Sequence, residues 1–249
     1  MKAAIVIFLL IVLPGFVWAQ QELIKAGTYQ WPTVSTGSVK IFSGSANDLS
    51  FVEMSANALK AGQKVKSKVP DNEEHLILIK SGTLSITIGD SLFSLGKGSI
   101  AMVMASGKYV LSNKTTETCE YHLMKYRSKL AMDIDRGMAA GGSFVKDWNK
   151  LVFKPHDRGG VRPYFERPTA MTKRFEMHVT TLKPNLNSHA PHTHGAEEII
   201  LVIEGNVEML IGETNYRARA GELLFVPTNL PHGLKNDGTT PCSYFAFQW

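Results

Sequence analysis

The chain is written twice. Displaced by 123 residues it matches itself without a gap: Leu76-Ile77-Leu78-Ile79 falls on Ile199-Ile200-Leu201-Val202, Glu53-Met54 on Glu176-Met177, and Leu59-Lys60 on Leu182-Lys183. Gly82, Gly89 and Gly98 fall on Gly205, Gly212 and Gly221, and Cys119 and Tyr121 on Cys242 and Tyr244. A repeat of this length is a whole domain rather than one unit of a solenoid. Two copies of one fold therefore account for most of the 249 residues.

Each copy is a series of short apolar runs broken by Gly, Asn and Pro. Leu84-Ser85-Ile86-Thr87-Ile88 alternates and then turns at Gly89-Asp90; Val207-Glu208-Met209-Leu210-Ile211 does the same before Gly212-Glu213. Alternation with period two and regularly spaced turns specify antiparallel strands. Six to eight such strands per copy fit a jelly-roll barrel, so the expected class is all-β with two barrels in tandem. We expect the first barrel over residues 20–127, a connecting segment over 128–167 with a short helix from Leu130 to Met138, and the second barrel over 168–249.

Met1-Lys2 and the apolar run from Ala3 to Trp18, closing on Val17-Trp18-Ala19, read as a secretory signal cleaved after residue 19. A membrane anchor is the competing reading, but the run is short for a span and Pro14-Gly15 interrupts it. The expected location is periplasmic or extracellular, with no membrane attachment after cleavage. The formal charge of +5 is scattered and interrupted by acids, as on a solvated surface, which argues against a nucleic-acid partner. Cys119 and Cys242 sit at equivalent repeat positions and so in separate barrels, which favours two buried thiols over a disulfide.

The chemistry is concentrated in the second copy. His192 and His194, two residues apart on an extended chain, share a face. Glu198 can return a carboxylate to that face, and His232 can reach it from a neighbouring strand. Three imidazoles and one carboxylate make a transition-metal site. The spacing resembles the cupin superfamily: His192, His194, Glu198 and Gly205 fit its first motif, and Gly221, Pro227, His232 and Asn236 its second. Asn229 stands where the family usually has Gly, and Asn185 is positioned to supply a bend that Leu186, also a Gly in the family, cannot; Asn tolerates positive φ better than other non-glycine residues. The resemblance implies two cupin jelly-roll barrels (the double-stranded β-helix), as in the small exported bicupins of bacteria.

The copies are chemically unequal. His192, His194, Glu198 and His232 become Val69, Asp71, His75 and Tyr109 in the first copy, which is therefore expected to keep the fold without the metal. Survival of all four ligands, Pro227 and Asn236 in the second copy argues for a working site there. Glu197 is expected to turn outward as a solvated charge, and His189 to sit on the rim. Glu176, His178 and Thr180 alternate with Phe175, Met177 and Val179; an exposed face is the default, but if it bends toward the barrel mouth His178 becomes a proton-transfer candidate. Arg162 and Arg167, in a segment rich in aromatics and prolines, pack between domains or bind a substrate anion under a lid. Phe245, Phe247 and Trp249 read as core.

One divalent ion (Mn, Fe, Ni, Co or Zn) on this ligand set keeps open positions and a formal charge of +1, which suits a small oxygen-rich or anionic molecule. The family includes dioxygenases, decarboxylases, isomerases and lyases, and fold alone does not choose among them. An enzyme is the leading expectation; a noncatalytic metal or ligand-binding module is the alternative. Monomer and homodimer both stay open.

Overall fold

A computed structural model describes residues 22–249; the expected signal over residues 1–19 lies outside the described residues. Almost everything between is β. Each copy makes a barrel from a large and a small sheet. In the second barrel the large sheet is centred on Glu198–Glu204, Cys242–Gln248 and Phe175–Leu182, all antiparallel. The small sheet pairs Asn206–Ile211 with Thr214–Arg219 and with His232–Asn236. In the first barrel Glu74–Ser81, Cys119–Ser128 and Leu49–Leu59 form the equivalent centre.

Two strands cross between barrels. Gly27–Tyr29 extends the second barrel's large sheet by pairing with Leu223–Val226, and Phe144–Lys146 extends the first by pairing with Ile100–Val103. The segment expected as a connection over 128–167 is divided accordingly. Its second half, Lys154–His156 and Gly159–Arg167, is a hairpin on the edge of the second barrel's large sheet. The helix is shorter and later than expected, Ile134–Ala139, starting where Asp133 accepts a hydrogen bond from the Arg136 amide (2.9 Å).

Strand alternation sorts most of the buried apolar side chains into three large cores, with a small fourth cluster at Val34, Ala56 and Ala58. Leu84, Ile86, Val69 and Tyr109 fill the first barrel, and Ile200, Val202, Val207 and Leu234 line the second. The third core lies between the large sheets, where Leu76, Met124 and Tyr126 of one barrel meet Phe175, Ile199, Phe225, Phe245, Phe247 and Trp249 of the other. Each fully buried apolar side chain of this size contributes about 1.5–3 kcal/mol, which makes the junction a true core rather than a contact between independent domains. The aromatic strand end is core, as expected.

Two buried carboxylates stitch this junction in the same way. Glu74 accepts the Tyr126 hydroxyl (2.6 Å) and the Ala170 amide of the other copy (3.0 Å). At the equivalent places Glu197 accepts the Trp249 indole N–H (3.2 Å) and the Asn47 amide (2.6 Å). Glu197 is thus not the solvated charge expected from its position. It does point out of its barrel, but outside is the other barrel, and only 3% of it is exposed.

His122 also faces the junction, donating from Nε2 to the Gly221 carbonyl (3.2 Å). Burial, with the Lys80 charge nearby, pushes its pKa down to about 3. A base with a depressed pKa stabilises the fold above its unfolded value near 6.5 and progressively less as pH falls toward 3. Denaturant titrations from pH 7 to 4.5 should therefore show an acid loss of roughly 2–3 kcal/mol attributable to this side chain. In His122→Phe that component should vanish; an unchanged acid slope would count against it.

Gly205 and Gly82 show why the repeat keeps its turn glycines. Both have positive φ (75° and 74°), and a Cβ at either would press on the backbone of Cys242 or Cys119. Both cysteines are free and buried. Burial pushes the Cys119 thiol up to about 12 and that of Cys242 up to about 11.

Candidate metal centre

The interior of the second barrel opens into a cavity of roughly 370 Å³, lined among others by His192, His194, Glu198 and His232. His192 and His232 face each other across an antiparallel bridge, each backbone amide donating to the other's carbonyl (3.0 and 2.9 Å). His194 is fixed by the turn opposite, where the Asn229 amide donates to its carbonyl (2.9 Å). That turn carries Asn229 at φ 59°, and Asn185 sits at φ 60°, so both asparagines take the conformations anticipated for them. Glu198 opens the strand Glu198–Glu204 and points inward with Ile200 and Val202.

One nitrogen from each of His192, His194 and His232 lies within 4.8 Å of the others. Glu198 Oε2 is 3.7 Å from His232 Nε2. Two of the rings are oriented from behind. His194 Nδ1 donates to the Ala196 carbonyl (2.9 Å) and His232 Nδ1 to the Leu230 carbonyl (2.8 Å), leaving both Nε2 atoms as bare electron pairs. His232 Nε2 is buried and has no hydrogen-bond partner. A buried acceptor left unpaired is costly, and a cation among these donors removes the cost. Burial, first of all, lowers the pKa of His192 and His232, which keeps them neutral as ligands must be. Burial also pushes Glu198 up to about 8, with the Glu176 carboxylate adding to the shift; a divalent cation acts in the opposite sense.

Beyond the four, the face carrying Glu176, His178 and Thr180 is not the exposed face taken as default. It turns into the barrel, and His178 and Thr180 line the cavity, while Phe175, Met177 and Val179 pack into the junction. His178 Nδ1 donates to Glu176 Oε1 (3.2 Å), and Gln248 donates to Glu176 Oε2 (2.8 Å). Burial lowers the His178 pKa against the pull of Glu176, leaving Nε2 a neutral proton acceptor. His189 is exposed at the rim, its ring 4.2 Å from that of His192.

Arg162 and Arg167 are elsewhere. The Arg162 guanidinium lies between the rings of Trp148 (4.4 Å) and Phe153 (4.6 Å), and that of Arg167 lies over Phe144 (4.0 Å) and donates to the Gly142 carbonyl. Neither lines the cavity, so the substrate-anion role gives way to packing of the linker. Five residues apart, they would fall on opposite faces by alternation alone; a bulge between Pro163 and Phe165 returns both to one face, against aromatics that the sequence could not place. Polar cavity residues that escaped the sequence reading include His156, Asp157, Arg158, Ser188, Tyr244 and Gln248. Tyr244 and Gln248 alternate on Cys242–Gln248 with core aromatics, a signal that was present but had no assigned face.

Asn236 belongs to the fold rather than to the site. It is fully buried and donates to the Leu182 and Thr240 carbonyls (3.0 and 2.9 Å). Asn113 does the same in the first barrel, donating to the carbonyls of Leu59 and Glu117. The ligand positions differ. Val69 and Tyr109 are buried, Asp71 is exposed, and His75 bonds Glu73 (2.7 Å) and the Tyr109 hydroxyl (2.9 Å).

Residues 178–247, which hold all four candidate ligands, match the family model of the cupin domain. That stretch is a cupin domain. Most of the chain shares its fold with solved structures: an oxalate decarboxylase of Bacillus subtilis, in a mutant form, superposes with a TM-score of 0.66 over 90% of this chain and 77% of its own, at 12% identity. AerE from Microcystis aeruginosa gives 0.65 over 90% and 97% at 13% identity. Ylba from E. coli gives 0.60 over 97% and 86% at 13% identity. At such identities the likeness is one of fold. Among curated sequences, the mannose-1-phosphate guanylyltransferase RfbM of Salmonella typhimurium is 28% identical over 124 residues, which is 46% of this chain but 26% of the relative.

Proposed function

We propose that this bicupin is a metal-dependent enzyme acting on a small, oxygen-rich, anionic molecule inside the second barrel. The observation that carries the reading is the orphaned Nε2 of buried His232, facing His192, His194 and Glu198. His192, His194, Glu198 and His232 would hold one divalent ion, Mn, Fe, Ni, Co or Zn. Bound there, it supplies Lewis acidity or a site for O₂ activation, which fits dioxygenase, isomerase, decarboxylase or lyase chemistry.

The chain's own residues supply the rest. His178 is assigned the proton transfer: Glu176 holds its Nδ1–H, so its Nε2 can take a proton from substrate and the imidazolium that forms faces a carboxylate. The apolar lining of Ile200, Met209 and Leu234 limits water around the reacting atoms. A pocket base besides the ligands favours an enzyme over a noncatalytic binding module. We also place the mature protein outside the cytoplasm, without residues 1–19; an intact Met1 on exported protein would refute that.

The test is a screen of metal-loaded protein against sugar acids, keto acids and phenolic acids, with and without O₂. Turnover is expected on at least one class, with kcat lowered about 10²–10⁴-fold in His178→Gln and metal content unchanged. Full metal occupancy with no turnover on any class would favour the binding module.

A further inference from the structure

We infer that Arg158 is the anchor for a second anionic group of the substrate, a carboxylate remote from the metal. The inference rests on the metal-dependent reading of the cavity and adds the substrate class, a small molecule carrying a carboxylate besides its metal-binding end.

The chain has eight arginines. Seven have their guanidinium engaged by carboxylates, carbonyl oxygens or aromatic rings. Arg158 alone has no side-chain partner among the described residues, and it alone of the eight lines the metal cavity. Its backbone is held firmly. It sits in the turn between Lys154–His156 and Gly159–Arg167, its carbonyl accepting from the Lys183 amide (2.9 Å) and its amide donating to Asp157 Oδ1 (3.0 Å). Gly159 beside it has φ 148°, and a Cβ there would collide with the Thr181 carbonyl, so the hairpin lies directly on the neighbouring strand. The adjacent Asp157 carboxylate is engaged by that backbone amide and approached by His156 (3.7 Å), not by the guanidinium.

The result is a fixed turn presenting a free, planar, five-donor cation to the same cavity that the His–Glu cluster lines. A guanidinium suits a carboxylate in two parallel hydrogen bonds. Two separated cationic centres select a molecule with two separated oxygen anions over one with a single anionic end.

The experiment uses the full chain loaded with Co²⁺ and follows the visible absorption of the ion during titration with L-malate and with L-lactate. The two acids share the α-hydroxycarboxylate that a metal chelates; only malate has the remote carboxylate. Wild type is expected to bind malate at least about tenfold more tightly than lactate. Arg158→Ala should abolish that preference by weakening malate alone, and Arg158→Lys should restore part of it. A Co²⁺ spectrum with the same malate preference in wild type and Arg158→Ala, or none in wild type, overturns the anchor while leaving the metal reading intact. If no Co²⁺ spectrum develops, the metal reading fails instead, and phenylglyoxal labelling read by peptide mass spectrometry tests Arg158 by itself. Slower labelling of Arg158 in malate supports the anchor; unchanged labelling overturns it.

Discussion

Metal affinity is expected to fall by about a hundredfold or more in His232→Ala, with the barrel still folded. His232 is the most enclosed of the three clustered histidines and contributes the nitrogen that lacks any other partner. Its removal takes away one donor of four and leaves Glu198 buried beside a small void. Changing the groups that merely orient a ligand costs 10–100-fold, so loss of the ligand itself should cost at least that much. Elemental analysis after dialysis measures it directly. Thermal unfolding gives an independent readout, because an ion bound only by the native state raises stability by mass action. Wild type should gain Tm on addition of the ion and His232→Ala should not. Glu198→Gln should behave similarly, since the amide is a poorer ligand and adds one unit of positive charge to the site. Undiminished occupancy in both variants would place the metal elsewhere and remove the basis of the proposed function.

The largest stability effect is expected far from that site. Glu74→Ala should destabilise the protein by about 3–5 kcal/mol. The side chain is wholly buried between the barrels and accepts from the Tyr126 hydroxyl and the Ala170 amide. Alanine leaves the Ala170 amide without its partner and the Tyr126 hydroxyl with only the weak acceptor Met102 Sδ (3.6 Å), each costing about 1–3 kcal/mol, in addition to the space vacated. Because the junction is one continuous core, both barrels should lose stability together, in a single transition in urea. A loss below about 1 kcal/mol, or separate unfolding of the first barrel, would show that the junction is less cooperative than its packing implies. Glu197→Ala should repeat the effect through Trp249 and the Asn47 amide, since the two stitches are built alike.

The linear sequence was sufficient to define much of this protein. The gapless repeat fixed two copies of one fold, because equal spacing of turns and apolar runs cannot persist by chance over so many strands. Period two fixed the strands, and the positions of His192, His194, Glu198 and His232 marked the candidate site, because ligand geometry on strands translates into short fixed spacings. Even Asn185 and Asn229 were legible, since few residues other than glycine accept a positive φ. What the sequence could not supply was which side of a strand meets what. Alternation gives two faces and no labels. It turned Glu197 outward, and only the docking of the second large sheet made that side a buried junction. It separated His178 from Val179 without showing that the first faces the cavity. The crossing strands Gly27–Tyr29 and Phe144–Lys146 pair residues far apart in the chain, and such pairing leaves no local pattern; the docking of the hairpin over residues 154–167 on Phe175–Leu182, with Arg158 lining the cavity, is likewise decided by the tertiary structure. Arg162 and Arg158 lie four residues apart with the same chemistry; whether each meets an aromatic ring or an open cavity is settled by neighbours that only the tertiary structure brings together.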